Sequence, residues 1–334
     1  MIVLIGGVGH TGKTLLSQRL LEQYRIPCTS LDHLKMGLAA GFPGCGFGPE
    51  DDWRRIGERM EGMVGTMLRV CRENGQSILL EGCYLMPKQV RREMEQGAAA
   101  VFLCFEEGYI DRHFQRILEF ENAAERRKFP GDLRIMELKE ENRQIQEACR
   151  RAGVPLVQIS ENYWEAADRA AGMVFEQLFH LRPYEEKDLE EILGLFYGTV
   201  HQVCRRDYTE EQLWAWADGA PDREAWGRSL KAHETVTAWL GESIAGFGDL
   251  EGDYLDRLYV HKNYQGLGIG SRIAGELEGR AVRAGKQRMI THASRTARPF
   301  FEARGYRVRK EQQVERKGVL LTNFLMEKEL GRPY

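Results

Sequence analysis

The sequence predicts two α/β units in one chain: a parallel-sheet unit over residues 1–179 and an α+β unit over residues 180–334. Three observations predict this. Five short apolar runs alternate with helical patterns through the first half, the signature of a parallel sheet with helices on both faces. Strand signals cluster as a hairpin in the second half. Each half also sets one glycine-rich turn between a strand and a helix. A chain of 334 residues exceeds one ordinary core, which agrees with two units.

The first strand is the apolar run Met1-Ile2-Val3-Leu4-Ile5, and it leads into Gly6-Gly7-Val8-Gly9-His10-Thr11-Gly12-Lys13-Thr14. Gly7, Gly12, Lys13 and Thr14 fit the phosphate-loop pattern G-x-x-x-x-G-K-[ST]. Leu15, Leu16, Arg19, Leu20 and Leu21 then recur at helical spacing. Backbone N–H groups of such a turn, through Gly9 and Thr11 to Lys13, form a concave anion site at a helix N-terminus. Lys13 reaches outer phosphates and the Thr14 hydroxyl ligates Mg²⁺, so ATP with Mg²⁺ is the expected ligand.

A second short strand, residues 27–31, ends at Asp32. The carboxyl ends of parallel strands face the ligand crevice, so Asp32 is a candidate base for an acceptor hydroxyl or a holder of Mg²⁺-bound water. The alternative is a helix N-cap. Residues 41–49 are too rich in glycine and proline for a helix or strand, and form an acceptor-pocket loop or a plain one. Trp53, Ile56, Met60, Met63, Val64, Met67, Leu68 and Cys71 mark a helix closed by Gly75. A third strand, residues 77–80, ends at Glu81, where an acidic side chain would position Mg²⁺ or simply lie at the surface. A fourth strand spans residues 98–105 and a basic helical segment follows, with Arg112, His113, Arg116, Arg126, Arg127 and Lys128. Glu119, Glu121 and Glu125 share that segment, so a salt-bridged solvated face competes with an anion-binding role. A helix over residues 133–151, a fifth strand at 154–159 and a helix over 164–179 complete the unit.

With these motifs the first half resembles the small phosphate-loop kinases. The group includes nucleoside-monophosphate, gluconate and shikimate kinases, chloramphenicol phosphotransferases, zeta-toxin-type kinases and 2-phosphoglycerate kinases. The resemblance rests on residues 7–14, on Asp32 in LDHLKMG and on Glu81 in LLEGCYLMP. It implies a P-loop NTPase fold and catalysis through Asp32. It further implies a metal site of Thr14 and Glu81, and Arg112 and Arg116 as arginines that reach the transferring phosphoryl group. Adenylate-kinase substrate motifs are absent, which argues against an ordinary nucleotide acceptor.

A new pattern begins at Leu181-Arg182-Pro183-Tyr184, a strand followed by an acidic helix start. Helices are predicted over residues 188–203 and 209–217, the second opened by a Thr209…Gln212 capping box. Residues 235–240 and 243–250 form a hairpin around Gly241-Glu242, and residues 254–260 form the next strand. That strand runs into Gln265-Gly266-Leu267-Gly268-Ile269-Gly270, which opens a helix over residues 271–284.

The order of IAGFGDL, LYVHKNY, Q-x-x-G-x-G and ARPFFEARGY resembles the GNAT superfamily of N-acetyltransferases over residues 181–330. The resemblance implies acetyl-CoA as cofactor, its pyrophosphate held at Gln265, Gly266, Gly268, Ile269 and Gly270. It implies a splayed strand whose backbone at Leu258, Tyr259 and Val260 pairs with the pantetheine arm. It places Asp256 as the group that deprotonates the acceptor amine, the alternative being an ion pair with Arg257. Where many members carry a tyrosine to protonate the leaving thiolate, this chain has Phe301, and Ser294, His292 or water remain. Tyr197, His201, Tyr208, Trp214 and Trp216 lie in the region that lines the acceptor pocket or supplies helix-core aromatics.

Composition bounds the function. With 43% hydrophobic and 29% charged residues the chain reads as globular, and a net charge of -3 argues against a dedicated nucleic-acid binder. No apolar run has the length of a membrane span, and the first strand runs straight into the glycine turn, so neither a membrane partner nor a cleaved signal peptide is expected. Seven cysteines without a C-x-x-C pair point to reduced thiols and a cytoplasmic location, and no zinc-ligand spacing is present. The expectation is a bifunctional-type transferase acting on small-molecule acceptors, of open oligomeric state. The alternative is an acetyltransferase regulated by a non-catalytic nucleotide-sensing unit.

Overall fold

The computed structural model describes residues 1–42, 44–119 and 134–331. The chain divides into two compact units, Met1–Leu178 and Phe179–Tyr334.

The first unit runs β1 (Ile2–Gly7), α1 (Lys13–Tyr24), β2 (Cys28–Ser30), α2 (Leu31–Gly41), α3 (Trp53–Glu73), β3 (Ile78–Glu81) and α4 (Pro87–Glu95). It continues through β4 (Ala99–Phe105), α5 (Tyr109–Glu119), α6 (Ile135–Ala152), β5 (Leu156–Ile159) and α7 (Tyr163–Leu178). The strands form a parallel sheet in the order β2-β3-β1-β4-β5. β1 and β4 are buried along their whole length, so both faces of the sheet are covered. On α3, Ile56, Met60, Val64 and Leu68 are buried at four-residue spacing and form its core face, while Met63 and Met67 are half-buried beside it. The strand predicted over 27–31 is shorter than expected because Ser30 caps α2, its side chain accepting from the Asp32 N–H at 3.3 Å. Asp32 therefore lies in the first turn of a helix and is not itself the cap. Arg126, Arg127, Lys128, Glu121 and Glu125 lie outside the described residues.

The second unit runs β6 (Phe179–Pro183), α8 (Leu189–Val203), α9 (Glu210–Trp216), α10 (Arg223–Ala232), β7 (Glu234–Leu240), β8 (Ser243–Glu251) and β9 (Tyr254–Val260). After it come α11 (Ile269–Arg283), β10 (Arg288–Ser294), α12 (Arg298–Ala303), β11 (Arg307–Arg316) and β12 (Val319–Glu329). The sheet order is β11-β12-β10-β9-β8-β7-β6, antiparallel except between β9 and β10. The capping box at α9 forms as predicted, with Gln212 N–H donating to Thr209 at 3.3 Å and Thr209 N–H donating to Gln212 at 3.1 Å. The helix α10 was not apparent from periodicity, since only Leu230 of its residues is buried. Helix α8 lays Ile192, Leu195, Phe196 and Val200 against Phe247 and Leu321.

Two glycines of β8 set the position of α11. A Cβ on Gly246 would lie 2.9 Å from the Ile273 side chain, and one on Gly248 would lie 2.8 Å from it. Their missing side chains let α11 rest directly on β8 and hold its N-terminus beside β9. All seven cysteines are unpaired. Among the described residues no helix is long and apolar enough to cross a membrane.

Candidate functional site

Glycines shape the first turn. Gly7 has φ 132°, and a Cβ there would meet the Leu103 carbonyl oxygen at 2.0 Å. Gly12 has φ 74° and lies under the Tyr163 ring, whose hydroxyl donates to the Gly12 carbonyl at 2.8 Å. The Thr11 hydroxyl and the Lys13 ammonium both donate to the Val8 carbonyl, at 2.8 and 2.7 Å. Lys13 is thus buried and folded over its own turn. The Thr14 hydroxyl reaches Glu81 Oε1 at 3.5 Å, and Glu81 is buried at the end of β3. A hydroxyl beside a buried carboxylate is an oxygen donor set of the kind that suits Mg²⁺. The Gly9 N–H donates to Glu141 Oε1 at 2.9 Å, a partner that sequence reasoning missed because Glu141 lies inside an unremarkable helical pattern.

Around Asp32 the structure adds Tyr84 and Lys35, neither singled out by the sequence. The Tyr84 hydroxyl donates to Asp32 Oδ1 at 3.2 Å. The Lys35 ammonium donates to the Tyr84 hydroxyl at 2.9 Å and lies 3.6 Å from Asp32. Burial, together with the nearby Cys83 and Asp32, pushes the Tyr84 hydroxyl far up, so it stays a donor. The two candidate arginines do not lie on one regular helix. The α5 backbone is broken at His113 (φ −127°, ψ 18°), between Arg112 and Arg116. Arg112 is half-exposed and lies 3.7 Å from Glu161.

In the second unit β9 and β10 are in register only at Tyr254↔Ile290 and Leu255↔Thr291. Beyond Leu255 the two strands part, while β9 stays paired to β8 through Gly246↔Val260, Phe247↔Tyr259 and Gly248↔Leu258. The opening forms a cavity of about 1130 Å³, lined among others by Asp256, Leu258, Val260, Gly270 and Ser294. The turn after β9 carries Gly266 and Gly268 with φ 78° and 77°, and Gly268 is the N-cap of α11. Unpaired N–H groups at such a helix start, on a positive dipole end, make an anion site.

Three of the predicted ligand residues also hold the turn in place. The Gln265 amide donates to the Val260 carbonyl at 2.6 Å and ties the turn to β9. The Val260 carbonyl also accepts from the Thr199 hydroxyl at 3.0 Å, so it is already engaged within the chain. The Ile269 side chain is buried and faces Gly246, leaving its backbone toward the turn.

Asp256 projects from β9 into the cavity, half-exposed. Its ion pair with Arg257 is long, 3.5 Å, because the Arg257 guanidinium is directed instead to the fully buried Asp249 at 2.6 and 2.9 Å. His233 Nδ1 lies 2.5 Å from the same carboxylate. Tyr254, missed by sequence reasoning, lies near enough to Asp256 to feel its charge, and its hydroxyl lies 3.1 Å from His292 Nδ1. Burial, then the neighbouring Asp256, pushes the Tyr254 hydroxyl up to about 12. The signal for this trio is the two-residue alternation of β9, which sends residues 254 and 256 to one face. Phe301 is buried and packs edge-on against Tyr306 at 5.1 Å. The Tyr208 hydroxyl is consumed, donating to the Thr322 carbonyl at 2.7 Å and accepting from the Arg295 N–H at 2.9 Å. Tyr197 and Trp216 line the cavity, His201 bonds the Ala217 carbonyl at 2.7 Å, and Trp214 is exposed.

Residues 204–330 match the family described as acetyltransferase (GNAT) domain. The second unit carries a GNAT acetyltransferase domain. The chain is 29% identical over 146 residues to the uncharacterized N-acetyltransferase YafP of Escherichia coli (strain K12), a match covering 44% of this chain and 93% of that one. It is 28% identical over 116 residues to the uncharacterized N-acetyltransferase YjcF of Bacillus subtilis (strain 168), covering 34% and 83%. A GCN5-related N-acetyltransferase structure from Rhodopseudomonas palustris aligns at 35% identity with a TM-score of 0.44, covering 45% of this chain and 95% of that one. Within this domain the glycine turn at 266–270 lies at the head of α11, beside the parted strands β9 and β10.

Proposed function

We propose that the GNAT domain transfers the acetyl group of acetyl-CoA to the amine of a small-molecule acceptor. The parting of β9 from β10 beyond Leu255, over a cavity that holds Asp256, carries this reading. The edge of β9 beyond Leu255, which no longer pairs with β10, suits the pantetheine arm, and the turn at 266–270 suits the pyrophosphate. Asp256 accepts the amine proton as nitrogen attacks the thioester carbonyl, the C–S bond breaks, and the thiolate leaves to be protonated. Phe301 cannot supply that proton, whereas Tyr254 and Ser294 present hydroxyls to the cavity.

The first unit, on this reading, binds ATP with Mg²⁺ through the turn from Gly7 to Thr14 and phosphorylates a small acceptor. The supporting observation is the buried Lys13 and Glu81 with the half-buried Thr14 between them in the turn and strand end of a parallel sheet. Asp32, ion-paired to Lys35 and bonded by Tyr84, is its candidate base. Calorimetric titration of the full chain with acetyl-CoA and, separately, with ATP·Mg²⁺ tests both parts. Micromolar binding of each is expected. Absence of acetyl-CoA binding overturns the first reading, and absence of ATP binding overturns the second.

A further inference from the structure

The turn that would take a phosphoryl group already holds an anion of the chain's own. Helix α6 is clamped to the sheet end by Asn142, whose amide donates to the Phe105 carbonyl at 3.0 Å and accepts from the Phe105 N–H at 2.8 Å. Gln146 donates to the same carbonyl at 2.8 Å. These bonds fix the residue just before Asn142, and Glu141 is thereby held over the glycine turn. Its Oε1 accepts from the Gly9 N–H at 2.9 Å, and both carboxylate oxygens lie within 3.9 Å of where a Gly9 Cβ would stand. A Cβ at position 9 would make ordinary van der Waals contact with it.

The chemistry is that of a bound phosphoryl oxygen. A carboxylate oxygen takes a backbone N–H of the turn, and the charge of Lys13 acts on it. Burial pushes the Glu141 carboxyl above the usual range, the Gly9 N–H and Lys13 draw it back, and Asp52 at the head of α3 opposes ionisation. We propose that Glu141 is a built-in competitor for the nucleotide's phosphoryl group. ATP enters the turn only as the Glu141 carboxylate gives up Gly9, so this one side chain sets the affinity of the site. The inference rests on the reading of the first unit as a nucleotide site.

The test is calorimetric titration of the full chain and its E141A and E141Q variants with ATP·Mg²⁺. E141A vacates the turn and is expected to bind ATP roughly ten- to hundredfold more tightly, the range of one charge-assisted hydrogen bond. E141Q keeps an acceptor carbonyl for Gly9 without the charge and is expected to fall between E141A and the wild type. An unchanged melting transition for the first unit in both variants shows that its fold is intact. If the wild type binds ATP and E141A binds it no tighter, the competitor is refuted while the nucleotide site stands. Weaker binding by E141A refutes it also, by making Glu141 a ligand-side residue. If no variant binds ATP, both readings fall.

Discussion

Removing the Asp249 carboxylate is expected to loosen β9 and the acetyltransferase cleft with it. Asp249 is fully buried on β8 and pairs in register with Arg257 on β9. It accepts two bonds from the guanidinium, at 2.6 and 2.9 Å, and lies 2.5 Å from His233 Nδ1. Arg257 is itself largely buried, stacked over Trp226 at 4.9 Å and bonded to Ser229 at 2.7 Å. In Asp249→Ala the guanidinium keeps its burial and loses its counter-charge, apart from Asp256 at 3.5 Å. Breaking a buried pair by removing one partner costs about 3–5 kcal/mol. With a urea m-value of about 2 kcal/mol/M, the midpoint should fall by about 2 M. Hydrogen exchange of peptides from β8 and β9 across a urea series isolates this transition from that of the first unit. The double variant Asp249→Leu with Arg257→Met removes both charges and should recover most of the loss, since apolar replacements of a buried pair are often neutral. A loss below about 1 kcal/mol in Asp249→Ala, or a double variant as unstable as the sum of its singles, would refute the reasoning.

Asp256→Asn keeps the size of the side chain and removes its basicity, so acetyl transfer to a panel of primary amines, followed by thiol release, should fall about 10²- to 10⁴-fold while acetyl-CoA affinity holds. Undiminished turnover would remove Asp256 from the reaction. The raised Glu141 carboxyl makes a pH prediction as well. Its folded pKa lies above the unfolded value, so its stability contribution is fully present below the ordinary carboxylate range and is lost as pH rises through the folded value. Glu141→Gln should therefore gain stability over the wild type at neutral pH, with the gap closing on acidification, read as melting temperature against pH.

What the sequence made legible follows from locality. Both glycine turns are local events, a strand, a few positive-φ residues and a helix start, and each sits where its motif placed it. The hairpin of β7 and β8, the capping box at Thr209 and the core stripe of α3 are likewise written within a few residues. The contents of the two sites are not. Glu141 reaches Gly9 across 132 positions, Tyr84 reaches Asp32 across 52, and His292 reaches Tyr254 across 38. No periodicity marks such residues, because each lies in an ordinary helix or strand and gains its role only when the sheet brings distant ends together.

The same logic shows that motif residues also build the turn they belong to. Gln265 and Val260 satisfy the pattern expected of acetyl-CoA ligands, yet they bond each other at 2.6 Å. A motif records which residue types a turn needs, and some of them build the turn itself. Gly9 is the counter-case. Its N–H belongs to a motif that binds anions, and in this chain it holds one, supplied by Glu141. An anion site already satisfied from within costs the fold no buried unpaired N–H, and it gives any incoming phosphate a carboxylate to displace.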